Sequence, residues 1–104
     1  MANEKKIYQG TELKFQLDIE SVGFSMINDD FKVVVKNKNT QQSVVILKSD
    51  MIITQEEKFL FTIDTSVLGI GTYIITTTAY VPDEDFKDGY RTEVQKQTLC
   101  QVTD

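Results

Sequence analysis

At 104 residues and 40% apolar content, the chain is the size of one domain and can bury a core without a disulfide or a metal. Its longest apolar runs, Val33–Val35 and Val44–Leu47, fall far short of the roughly 18 residues needed to span a membrane. A net charge of −5 argues against sequence-independent nucleic-acid binding, and the absence of histidine removes the usual general base and the usual zinc ligand.

The first predicted element is a short lead-in strand around Lys6–Tyr8. "ELKFQLDIE" follows, with Leu13, Phe15, Leu17 and Ile19 on one side and charged or polar residues on the other. Strict alternation over nine residues predicts a half-buried strand. "SVGFSMINDD" reads as a loop, with Gly23 and an Asn-Asp-Asp end suited to an Asx-type turn. "FKVVVKN" and "SVVILK" are strands separated by the polar turn "NKNTQQ", and "MII" is a short fourth piece. "FLFTID" alternates again, and "DTSVLG" predicts a single helical turn. "GTYIITTTAYV" is a long strand rich in β-branched and aromatic residues. "YRTEVQKQTLCQV" is the last, with Val94, Thr98, Cys100 and Val102 in phase. Leu99 is out of phase, which predicts a bulge or a change of partner there. Seven or eight short strands with frequent turn signals indicate an antiparallel sandwich or barrel.

Two segments narrow that choice. "GTELKFQLDI", through Gly10, Leu13 and Phe15, resembles the start of the second strand of immunoglobulin domains. "FLFTIDTSVLGIGTYIIT", through Gly71, Tyr73 and Ile75, resembles the run into their sixth strand. The resemblance implies an all-β, immunoglobulin-like antiparallel sandwich of seven to eight strands, a single domain over residues 1–104. It makes Tyr73 the candidate for a tyrosine corner. Ile75 stands where the family has its second cysteine, and Leu17 or Ile19 where it has the first, so no disulfide is expected. The chain as a whole is similar in style to small virion proteins of tailed bacteriophages. That similarity implies a capsid-decoration or head–tail role, through contacts with other virion proteins or with copies of itself. The single Cys100 suits a reducing cytoplasm, and "MANEKKIYQG" lacks the apolar core of a signal peptide. A virion assembled in a host cytoplasm, or otherwise a cytoplasmic protein, is the expected location.

Charge and loop chemistry supply the candidate sites. Residues 1–52 hold seven acids and seven lysines, whereas residues 53–104 hold nine acids and four bases and so carry the whole net charge. Lys32, Lys36, Lys38 and Lys48 lie in a stretch without acids. "VPDEDFKDGYR" holds the only proline and the densest acids, Asp83, Glu84, Asp85 and Asp88. The acids miss the EF-hand spacing, and no helix is predicted beside them. Sandwich topology places this loop at the same end as Asp29 and Asp30, so Asp29, Asp30, Asp83, Asp85 and Asp88 are candidates to hold calcium. The plainer reading is a solvated hairpin, and a protein-contact loop is the third. Phe86 at its tip favours contact. Phe24 and Met26 in the facing loop read as plugs for the end of the core or as partner anchors. Asp18 and Glu20 share a strand face at a spacing of about 7 Å, which a retaining glycosidase could use. Glu12, Lys14 and Gln16 continue that face, so solvation explains it better. No acid–base–nucleophile set converges, and no cofactor motif is present. A non-enzymatic interaction module is the main expectation, and a carbohydrate- or calcium-binding adhesion module the alternative. The chain also has strands apolar on both faces, at Val33–Val35 and Val44–Leu47, which point to a partner on one sheet or to local irregularity.

Overall fold

The computed structural model describes residues 6–104. Its strands are β1 (Ile7–Tyr8), β2 (Glu12–Leu17), β3 (Phe31–Asn37), β4 (Ser43–Leu47), β5 (Ile52–Ile53), β6 (Phe59–Asp64), β7 (Gly71–Pro82) and β8 (Tyr90–Thr103). One helical turn, α1 (Thr65–Leu68), links β6 to β7. The strands form a five-stranded sheet in the order β1-β8-β7-β3-β4 and a three-stranded sheet in the order β2-β6-β5. β3, β7 and β8 in one sheet and β2, β6 and β5 in the other give the C–F–G and B–E–D halves of an immunoglobulin-type sandwich, with β4 as an added edge strand. One pairing departs from the expected antiparallel pattern. β1 runs parallel to the end of β8, pairing Ile7 with Val102.

The alternation read from sequence explains the packing. Directly opposed residues on paired strands share a face. Val33 opposes Thr77 and Val35 opposes Ile75, while Phe15 opposes Phe61 across the other sheet. Phe31, Val33, Val35, Phe59, Phe61 and Ile75 are all at most 3% exposed, so the inner faces of both sheets meet in one core. Each such side chain contributes roughly 1.5–3 kcal/mol by leaving water. β2 stops at Leu17, three residues before the alternation does. Its partner β6 begins at Phe59, opposite Leu17, so residues 18–20 have no strand there to pair with. Ile19 still packs against the core.

The bulge falls where it was expected. Tyr73 opposes Cys100 and Ile74 opposes Thr98, which leaves Leu99 as the extra residue. An inserted residue inverts the alternation beyond it. Val94 and Thr98 therefore lie on the outer face, opposite Thr78 and Ile74, while Cys100 and Val102 face inward. The single phase predicted for all four does not survive the bulge. Cys100 is a free thiol, half-buried against the core, and burial pushes its pKa up, away from reactive thiolate character.

The tyrosine corner is present. Tyr73 is fully buried, and its hydroxyl donates to the carbonyls of Gly69 and Thr65. Burial raises its pKa, with Cys100 and Asp64 adding to the effect, so the phenol stays a donor. Tyr73→Phe leaves both carbonyls short of this donor. The expected loss is about 1–3 kcal/mol, measured by urea denaturation.

Candidate functional site

The outer face of the five-stranded sheet follows from the register. β3 presents Lys32, Val34 and Lys36, which oppose Leu47, Val45 and Ser43 of β4. On the other side they oppose Thr78, Thr76 and Ile74 of β7. These in turn oppose Val94, Lys96 and Thr98 of β8, while Tyr80 opposes Thr92 and Pro82 opposes Tyr90. Among the described residues, the strand positions of this surface bear lysines, threonines, Ser43 and apolar side chains and no acid, although the chain has 16 acids; Asp30 stands just beyond its loop end, beside Tyr80. Val45 is 58% exposed and Val94 55%, so large apolar groups stand in water on both β4 and β8. The outer face of the three-stranded sheet differs. There Glu12 opposes Asp64, Lys14 opposes Thr62 and Gln16 opposes Leu60, which in turn opposes exposed Ile52, a mostly polar surface with two acids and one apolar corner.

Of the lysines singled out from sequence, Lys32 and Lys36 are on this face, and Lys38 is in the turn after β3. Lys48 is used inside the domain. Its ammonium donates to the carbonyls of Ile27 and Asp29, at 2.9 and 2.8 Å, and lies 5.5 Å from the ring centroid of Phe31.

The two loops at 18–30 and 83–89 meet at one end of the sandwich, as the topology required. The Tyr80 amide donates to the Asp30 carbonyl. The Arg91 guanidinium bridges the loops, reaching the Asp83 carboxylate at 3.0 Å, the Val22 carbonyl at 3.2 Å and Glu93 at 3.4 Å. Ser21 also donates to Glu93. Sequence reasoning missed this role of Arg91. The only cue is that it is the one arginine in the chain, beside the acidic loop.

The acids do not converge. Asp83 is held by Arg91 and by the Asp85 amide, and Asp29 accepts from the Ser25 amide. Glu84, Asp85 and Asp88 are exposed. Among the described residues, no group of three or more acids or cysteines is placed to hold a metal ion, so Asp29, Asp30, Asp83, Asp85 and Asp88 do not form the calcium cluster considered from sequence. Phe24 and Met26 pack half-buried against the core, and the Phe24 ring meets Phe31 edge-on at 6.2 Å. They plug the core end and do not project as anchors. Phe86 stands at the hairpin tip, 49% exposed.

At the far end, Asn37 and Thr65 are fully buried polar residues that the sequence reading passed over. The Asn37 amide donates to the carbonyls of Leu68 and Ile70 and accepts from the amides of Asn39 and Thr40. The Thr65 hydroxyl donates to the Thr11 carbonyl and accepts from the Gly10 amide. Every polar partner there belongs to the domain itself, which makes this end structural. No helix among the described residues is long and apolar enough to cross a membrane. In comparisons with known proteins, no family model matches the chain, and no curated protein or solved structure matches it at a significant level.

Proposed function

We propose that this domain is a non-enzymatic docking module that binds another protein through the outer face of its five-stranded sheet. The supporting observation is the composition of that face. Exposed Val45, Leu47 and Val94 sit among threonines and Lys32, Lys36 and Lys96, with no acid at the strand positions, on a protein of net charge −5. A solvated sheet face is ordinarily polar. An apolar face ringed by one sign of charge fits a partner surface that is apolar with acidic neighbours.

The finer proposal is a component of a tailed-phage virion, in capsid decoration or at the head–tail junction, bound to other virion proteins or to copies of itself. Its support is the resemblance in style to such proteins, together with the apolar, lysine-bearing sheet face. Light scattering of the purified protein, alone and mixed with the proteins encoded by neighbouring genes, tests this. The expected result is a complex or a self-assembly. A strict monomer that ignores every candidate counts against it.

A further inference from the structure

At the loop end of the docking face, Tyr80, Pro82 and Tyr90 stand across from Asn28, Asp29 and Asp30 around an open cleft of about 470 Å³. The two tyrosine rings meet edge to face, with centroids 5.8 Å apart and planes at 75°. That arrangement leaves ring surface open to the cleft, and Tyr90 is 46% exposed. The lining contains two aspartates and no base, and the Asp29 carboxylate accepts from the Ser25 amide. Neither Asp29 nor Asp30 takes part in any of the ion pairs among the described residues. The Asp30 backbone carbonyl is held by Tyr80, so its position is fixed while its exposed carboxylate is left for solvent or a ligand.

Aromatic faces attract cations, and carboxylates form charge-assisted hydrogen bonds with them. A long basic side chain also carries an apolar stem that packs on rings such as those of tyrosine and proline. Asp30 borders a second cleft of about 460 Å³, lined also by Leu47, Met51 and Ile53 and by Lys48 and Ser49. Lys48, at that border, is committed to the Ile27 and Asp29 carbonyls. An acidic aromatic cleft and an apolar shelf therefore flank one residue.

We propose that the cleft between Tyr80, Tyr90 and Asp30 receives an arginine or lysine side chain from an extended segment of a protein partner, with an adjacent apolar side chain on the Leu47–Ile53 shelf. This rests on the docking reading only in taking the partner to be a protein.

The test is titration of isotope-labelled protein with the peptide acetyl-Gly-Arg-Leu-Gly-amide, following backbone amide shifts. A Glu-for-Arg peptide and maltotriose serve as separate arms. The expected result is saturable shifts at Asp30, Tyr80, Gly89, Tyr90 and Ile53 with the arginine peptide alone, weakening as salt rises. Affinity should fall by about fivefold or more in Asp30→Asn and in Tyr90→Ala. Both side chains are exposed, so the fold should survive, and an unchanged spectrum elsewhere verifies it. Shifts spread over Glu84, Asp85 and Asp88 and unaltered in the two variants would mean general acidity and overturn the proposal. So would binding of maltotriose in place of the peptide, or no shift at all. Val45 and Val94 are outside the cleft lining, so the docking-face reading can fail independently of this one.

Discussion

Asn37→Ala should lower the unfolding free energy by about 3–5 kcal/mol, a large share of the roughly 5–15 kcal/mol a domain of this size has. The side chain is fully buried and holds the buried Leu68 carbonyl together with three groups nearer the surface, the Ile70 carbonyl and the Asn39 and Thr40 amides. Removing it leaves the buried Leu68 carbonyl unpaired at about 1–3 kcal/mol, with smaller losses at the three partly solvated groups and a cavity in a fully buried site. Gly71 is part of the same clasp. Its φ of +146° lies in a region that L side chains rarely adopt, and an added Cβ would fall on Asn37 Oδ1. Gly71→Ala should therefore cost a comparable amount. The two losses should fall short of full additivity, because Asn37→Ala removes the nearer of the two oxygens that the new methyl group strikes, the other being Asn39 Oδ1. Urea denaturation of both single variants and the double variant checks this. Full additivity would mean that the two positions do not share a clasp.

Phe31→Ala is expected to cost about 3–5 kcal/mol for a different reason. Phe31 is 1% exposed, and its ring meets Phe59 edge-on at 5.3 Å and Phe24 at 6.2 Å. Lys48 caps the same group while holding the 18–30 loop by two carbonyls. Truncation opens a cavity and also frees Phe24, the plug of that loop. A fall in Tm of tens of degrees follows from the usual 4–8 °C per kcal/mol for a domain near this size. Phe86→Ala, at an exposed hairpin tip, should change Tm little. A small effect at Phe31 would show that the loop end is not packed as described.

Much of the fold is legible in the sequence because it depends on period and on local chemistry. Alternation in Glu12–Leu17 and Phe59–Asp64 is a direct record of one buried face. The extra residue at Leu99 breaks the period in the sequence as it does in the sheet. The helical turn after Asp64 has its cap in the sequence, where the carboxylate accepts from the Ser66 amide. Other features depend on what lies opposite. Val94 reads as inward from its spacing to Val102, yet the bulge between them turns it outward. Asn37 lies in a polar stretch that reads as a turn, and only the approach of α1 and the start of β7 explains its burial.

The candidate site was legible only in fragments. Doubly apolar strands hinted at a covered sheet, and Lys32 and Lys36 were noted for charge. Their union into one acid-free face required the registers of four strands. The acidic loop drew attention because its carboxylates are close in sequence, but Arg91 and local amides take Asp83, and the remaining acids point to solvent.

The central claim is that the outer face of the five-stranded sheet docks a protein. Light scattering coupled to size exclusion, on wild type and on Val45→Glu/Val94→Glu, tests it most directly. Both residues are more than half exposed, so the substitution should leave the fold intact while placing acids on an acid-free face. Lys14→Glu, on the outer face of the other sheet, is the control. The account predicts that wild type and the control form the same complex, with a protein encoded by a neighbouring gene or with themselves, and that the double variant elutes as a folded monomer. A complex that survives the double substitution, or that is lost only in the control, would contradict it.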